Sequence, residues 1–97
     1  MNTAATKSND ILIIDDDDSL NTLLKEYFFG FGFILRAATS AQQGLLELRR
    51  KLPKILILDI MLPDDNGLTL CREIRTKYNF PIIMLSARGE LSDKVLG

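Results

Sequence analysis

Carboxylates follow two apolar runs of the chain, at the point where each run ends. Asp15 and Asp16 open a block of four aspartates directly after residues 11–14, and Asp59 follows residues 55–58. Carboxylates held close together repel one another, and a bound hard cation such as Mg²⁺, which prefers oxygen ligands, relieves that repulsion. A carboxylate beside such a metal can attack phosphorus to form an acyl phosphate. The pattern therefore indicates a magnesium site in which Asp15 and Asp16 hold the cation and Asp59 adds an oxygen and a nucleophile.

A third apolar run, residues 81–85, ends at the hydroxyl of Ser86. This hydroxyl can donate a hydrogen bond to a phosphoryl oxygen, and the small Ala87 beside it leaves space for an incoming phosphoryl group. Taken alone, Ser86 also fits an ordinary loop hydroxyl, and the acidic block also fits a solvated turn that caps a helix. Asp59 argues against capping as the whole explanation, because the residues after it do not start a helix.

Strand patterns alternate with helix patterns along the chain. The predicted order is a strand at 11–14, a helix with its apolar stripe at 20–28, a strand at 33–38, a helix at 40–52, a strand at 55–58, a helix at 67–78, a strand at 81–85, and a segment at 90–97 that could begin another helix. This alternation predicts an α/β fold, a doubly wound parallel sheet with right-handed crossovers. Ligand sites in such sheets lie beyond the carboxyl ends of the strands, where Asp15, Asp16, Asp59 and Ser86 all fall.

Local signals predict how the first two helices begin and pack. Asp17 or Asp18 can cap the first helix, and Gly30 and Gly32 end it. Ser40 and Gln43 have the spacing of a capping box at the start of the second helix. Its predicted buried stripe is Leu45, Leu48 and Leu52, and Gly44 weakens it by about 1 kcal/mol relative to alanine.

Composition limits the class of protein. The 97 residues, 46% hydrophobic and 26% charged, fit one small domain at residues 10–97 after a flexible tail at residues 1–9. No apolar run is long enough for a membrane span or a signal peptide, so we expect a cytoplasmic protein. The lone Cys71 excludes an internal disulfide and fits a small buried side chain. Histidine is absent, which excludes imidazole chemistry, and the net charge of −1 gives no general attraction to nucleic acid.

Three motifs in order carry a family resemblance. They are Ile-Leu-Ile-Ile-Asp-Asp-Asp at residues 11–17, Leu-Asp-Ile-Met-Leu-Pro at residues 58–63 with Gly67, and Pro-Ile-Ile-Met-Leu-Ser-Ala-Arg-Gly at residues 81–89. Together they resemble the receiver domain of bacterial two-component response regulators, most of all receivers that precede a winged-helix DNA-binding domain. The resemblance covers about residues 9–97.

The resemblance implies a flavodoxin-like receiver fold and a role for each site residue. Asp59 corresponds to the phosphoacceptor, which takes its phosphoryl group from the phosphohistidine of a sensor histidine kinase. Asp16 corresponds to the acid that contacts Mg²⁺ directly, and Asp15 to the acid that contacts it through water. Met61 corresponds to the residue whose backbone carbonyl is a metal ligand, and Ser86 to the switch hydroxyl. Phosphorylation would then favour one of two conformations.

The chain departs from the family pattern after its fourth strand. It stops at Gly97, so we expect strand order 2-1-3-4 with the fifth strand and fifth helix missing, together with the lysine that normally contacts the phosphoryl group; Lys94 does not match it. The fourth strand would then be an uncovered edge, which predicts self-association. DNA would be reached only through an output domain outside this segment.

Two other classes of function remain open. Asp15 and Asp17 also fit the Asp-x-Asp of Mg²⁺-dependent haloacid-dehalogenase-like phosphatases, although this interpretation leaves Asp59 unexplained. The other class is an interaction fragment with a vestigial site. Turnover of a phosphomonoester would identify the first, and failure to take up a phosphoryl analogue would support the second.

Overall fold

The four apolar runs form the parallel strands at the centre of the protein. In the computed structural model, which describes residues 9–85 and 91–92, they are β1 (Asp10–Ile14), β2 (Ile34–Ala38), β3 (Ile55–Asp59) and β4 (Ile82–Leu85). Their spatial order is β2-β1-β3-β4, all parallel, as the sequence predicts. Of the predicted tail, only Asn9 lies within the described residues, and its carbonyl accepts a hydrogen bond from the Ile34 N–H.

Three helices, α1 (Asp18–Phe29), α2 (Ala41–Arg50) and α3 (Gly67–Arg75), cover both faces of this sheet. Successive side chains of a strand point to opposite faces, so β1 divides its residues between two cores. Leu12 and Ile14 belong to the core that contains side chains of α2 and α3, whereas Ile11 and Ile13 belong to the core under α1. Every residue of β1 is therefore buried, as expected for a central parallel strand.

The predicted caps are present with one change of partner. Asp17 caps α1 by accepting a hydrogen bond from the Leu20 N–H at 3.0 Å, and Ser40 caps α2 by accepting from the Gln43 N–H at 3.1 Å. The Gln43 side chain, however, accepts from the N–H of Thr39 rather than from that of Ser40. In a standard capping box the Gln43 side chain would accept from the N–H of the cap residue, Ser40. In α2 it accepts from the N–H one residue earlier.

The buried stripe of α2 differs from the prediction. Leu48 is buried and Leu45 packs against the core, but Leu52 lies beyond the end of the helix and is 51% exposed. Gly44 is buried instead, and a Cβ at this position would lie 2.8 Å from Cγ1 of Ile14. The glycine that weakens the isolated helix therefore lets α2 approach β1 closely.

Residues after β4 correct two expectations. Leu91–Ser92 forms a short strand, β5, antiparallel to β4, with Leu91 opposite Leu85 and Ser92 opposite Met84. The helix expected to begin in residues 90–97 is therefore wrong at these two positions, and β4 is covered along its last two residues. The physical reason is that an edge strand presents unpaired backbone groups, which a following segment of chain can satisfy.

An ion-pair network at the opposite end of the sheet has no counterpart in the sequence-based predictions. Arg36 of β2 contacts the Asp10 carboxylate and the Glu47 carboxylate, each at 2.8 Å, and donates to the carbonyl of Lys51 at 2.7 Å. It thereby joins the amino end of β1 to the last turn of α2.

In the described part of the chain, no helix is long and apolar enough to cross a membrane.

Candidate functional site

Three carboxylates meet at the carboxyl end of the sheet, as predicted. Carboxylate oxygens of Asp15, Asp16 and Asp59 all lie within 4.8 Å of one another. The cause is the register of two neighbouring strands: Ile14 lies opposite Leu58, so the residues that follow each strand emerge side by side. Asp15 is buried, Asp59 is partly buried and Asp16 is exposed.

The electrostatics of this cluster favour a positive ligand. Burial raises the pKa of Asp15, and the charges of Asp59, Asp16 and Asp17 raise it further, against a lowering by the Asp17 N–H that donates to it at 2.8 Å. Burial also raises the pKa of Asp59, and the charge of Asp16 adds to this. At neutral pH the folded state therefore holds excess negative charge at one point. A set of carboxylate oxygens with such repulsion fits a hard divalent cation such as Mg²⁺.

The loop after Asp59 holds that residue's carboxylate. The backbone N–H of Met61 donates to Asp59 Oδ1 at 3.1 Å, and Met61 also forms an isolated antiparallel bridge with Asn66. Met61 therefore lies next to the phosphoacceptor candidate, where its carbonyl was predicted to act as a ligand. That role stays a prediction.

Gly67 packs α3 directly behind the end of β3. Its N–H donates to the Ile60 carbonyl at 2.7 Å, and Asn66 caps the helix by accepting from the Leu68 N–H at 2.8 Å. A Cβ on Gly67 would overlap the carbonyl oxygen of Asp59 and lie 2.6 Å from Cα of Ile60. Glycine at this position is thus a steric requirement of the site, which the sequence pattern alone could not explain.

Asp64 has a role that the sequence reasoning missed. Its carboxylate accepts hydrogen bonds from the N–H groups of Ala41 at 2.8 Å and Gln42 at 3.0 Å, and these bonds lower the pKa of Asp64. The loop after Asp59 therefore supplies a second cap to α2. No local spacing signals this contact, because its partners are more than twenty residues apart.

The remaining predicted residues fall into two groups. Ser86, Ala87 and Lys94 lie outside the described residues, so their predicted positions have no structural counterpart here. Asp17, which the phosphatase alternative needs as an acid/base, is engaged at the start of α1 as its cap. It is not part of the carboxylate group formed by Asp15, Asp16 and Asp59 in the described chain.

Comparison with known proteins gives concordant matches. Residues 11–96 match the response regulator receiver domain family. The chain is 42% identical over 89 residues to the transcriptional regulatory protein CpxR of Klebsiella pneumoniae, covering 92% of this chain and 38% of that protein. It is 38% identical over 88 residues to the alkaline phosphatase synthesis transcriptional regulatory protein PhoP of Bacillus subtilis, covering 90% and 37%. The chain thus spans well under half the length of these relatives.

Solved structures show the same fold. The BeF3-activated receiver domain of Klebsiella pneumoniae RstA superimposes with a TM-score of 0.77 at 29% identity, covering 80% of this chain and 67% of that one. The non-phosphorylated HemR receiver domain of Leptospira biflexa gives a TM-score of 0.76 at 28% identity, covering 87% and 68%. The motifs, the strand order, the family match, the relatives and the solved structures all agree. The chain belongs to the response regulator receiver domain family.

Proposed function

We propose that this chain is a signalling receiver that accepts a phosphoryl group on Asp59 from a sensor histidine kinase and thereby controls an output such as transcription. The observation that carries the proposal is the position of Asp59, a partly buried carboxylate at the end of β3 with the carboxylates of Asp15 and Asp16 beside it. Support comes also from relatives named as transcriptional regulators. DNA contact is not assigned to this segment and would belong to an output domain.

The chemistry assigned to Asp59 is a transfer between two nucleophiles. A carboxylate oxygen of Asp59 forms the new bond to phosphorus while the bond from phosphorus to the kinase imidazole nitrogen breaks, and the imidazole keeps the electron pair and takes up a proton. The Met61 N–H orients the Asp59 carboxylate for this attack. Bound Mg²⁺, held by Asp15, Asp16, Asp59 and the Met61 carbonyl, would offset the negative charge of both reactants. Ser86 would donate to a phosphoryl oxygen, with Ala87 leaving access.

The test is covalent labelling of the full chain with a small phosphodonor. With Mg²⁺ and acetyl phosphate, we expect an acyl phosphate on Asp59, located by borohydride trapping and mass spectrometry, because Asp59 is the carboxylate that β3 delivers to the cluster. Asp59→Ala should remove the label. Asp18→Asn is the matched control, since Asp18 belongs to the same acidic block but lies exposed in the first turn of α1.

Four outcomes would contradict the assignment. Label on another aspartate, or undiminished label in Asp59→Ala, would move the phosphoacceptor elsewhere. Steady hydrolysis of a phosphomonoester would favour the phosphatase alternative. A chain that binds Mg²⁺ but takes up no label would support the interaction fragment.

We also propose self-association through the part of β4 that β5 leaves open. Within the described residues, Ile82 and Ile83 have no strand partner on their outer side, and an apolar edge of this kind recruits another strand. Light scattering after size-exclusion chromatography should show a species larger than a monomer, and Ile83→Lys should shift it towards monomer. Leu23→Lys, on α1 rather than on an edge strand and 62% exposed in the parent, is the control that should not. A well-folded parent that stays monomeric at high concentration would refute the proposal.

A further inference from the structure

Asn21 is a buried polar residue of α1, one turn after the acidic block. Only 4% of the residue is exposed, and its Oδ1 has no hydrogen-bond partner among the described residues. A buried amide with an unsatisfied oxygen costs stability, whereas leucine of similar size would not carry that cost. The presence of asparagine at this position therefore calls for a compensating role of its other polar group.

That other group, Nδ2, donates a hydrogen bond to the backbone carbonyl of Asp15 at 2.8 Å. The carbonyl of Asp15 and the N–H of Asp16 belong to one planar peptide unit. A hydrogen bond that holds this carbonyl therefore fixes the orientation of the whole peptide plane. It thereby also fixes the direction in which the Asp16 side chain extends from the backbone.

Other bonds hold the residues on each side of Asp16. The Asp15 N–H donates to the Ala38 carbonyl at 2.9 Å, and the Asp17 N–H donates to the Asp15 carboxylate at 2.8 Å. The side chain of Asp16 itself makes no hydrogen bond within residues 9–85 and 91–92. Its position relative to Asp59 thus depends on the backbone around it, in which Asn21 is the one side chain reaching in from α1.

We propose that Asn21 is a positioning residue for the metal site: through the Asp15 carbonyl it holds the Asp15–Asp16 peptide so that both carboxylates converge with Asp59. The inference rests on the proposed function, since it assumes that these three carboxylates bind Mg²⁺. Residues that orient metal ligands in this way typically change metal affinity by about 10–100-fold when they are replaced.

The test compares Mg²⁺ binding in the parent, Asn21→Leu and Asn21→Ala, with Thr22→Ala as an exposed control on the same helix. The Mg²⁺ concentration at half-maximal rise in melting temperature should increase about tenfold or more in both Asn21 variants. It should stay unchanged in Thr22→Ala. Labelling of Asp59 by acetyl phosphate should recover when Mg²⁺ is raised, because the nucleophile itself is untouched. Urea unfolding without metal reports stability separately.

A merely structural role predicts a different result. Lower stability in urea, with the half-saturating Mg²⁺ concentration within twofold of the parent, would overturn the inference while leaving the proposed function intact. Failure of both Asn21 variants to fold without Mg²⁺ would also overturn it, because Asn21 would then hold the fold rather than the site. A parent chain that does not respond to Mg²⁺ at all would refute the proposed metal site, and the inference with it.

Discussion

Gly67→Ala is expected to lower the free energy of unfolding by about 3 kcal/mol, at the upper end of the usual cost of overpacking. The added Cβ would overlap the Asp59 carbonyl and lie 2.6 Å from Cα of Ile60, and neither atom belongs to a side chain that can rotate away. Relief requires α3 to move from the end of β3. For a domain of this size the loss corresponds to roughly 12–24 °C in melting temperature.

Two other glycines provide the comparison for this variant. Gly30→Ala should change stability by less than about 0.5 kcal/mol, because Gly30 has an ordinary φ of −63° and its Cβ would only touch the Tyr27 carbonyl at 3.4 Å. Gly44→Ala should fall between the two, since its obstacle is the side chain of Ile14. Thermal unfolding of the three variants checks the order. A Gly67→Ala protein as stable as Gly30→Ala would show that the loop after Asp59 yields easily.

Mg²⁺ is expected to stabilise the folded chain, and Asp16→Asn to remove most of that effect. At ten times its Kd the ion would add about 1.4 kcal/mol, which is roughly 6–11 °C for this size of domain. Without metal, Asp16→Asn should be as stable as the parent or more so, because the charge of Asp16 raises the pKa of both Asp15 and Asp59. Differential scanning calorimetry with Mg²⁺ and with EDTA measures both effects.

The pH dependence of the metal-free protein follows from the same pKa shifts. The carboxyl groups of Asp15 and Asp59 have folded-state pKa values raised above the ordinary value of 3.8, so their ionised forms oppose folding. Their destabilising contribution should disappear as pH falls through these raised values, and no further gain should follow below the ordinary value. With Mg²⁺ present the trend should reverse, because protons compete with the metal.

For the Asp16→Asn prediction, an equal Mg²⁺ response in parent and variant would place the metal site elsewhere. Asp18→Asn is the charge-matched control.

The position of the carboxylate cluster could be predicted from the sequence, because it follows from the order of the strands. Asp15, Asp16 and Asp59 could be brought together in advance because parallel strands end at one edge, and neighbouring central strands share a register. The cap at Asp17 was also predictable, since its partner is three residues away.

Contacts between distant segments were not predictable in the same way. Asp64 reaches the start of α2, and Arg36 joins β1 to the end of that helix, through partners that no period of the sequence relates. No sequence pattern singles out Asn21, whose importance follows from its hydrogen bond to the Asp15 carbonyl. The sequence predicts the start of a helix in residues 90–97, whereas pairing with β4 makes Leu91–Ser92 a short strand.

The loop at residues 60–66 has an unusual consequence for changes in chain length. Exposed loops commonly accept inserted residues, because few bonds depend on their length. This loop is bound at three points: Met61 to Asp59, Asp64 to the first residues of α2, and Gly67 to Ile60. One residue added to this loop or deleted from it would prevent these hydrogen bonds from all forming at the same time.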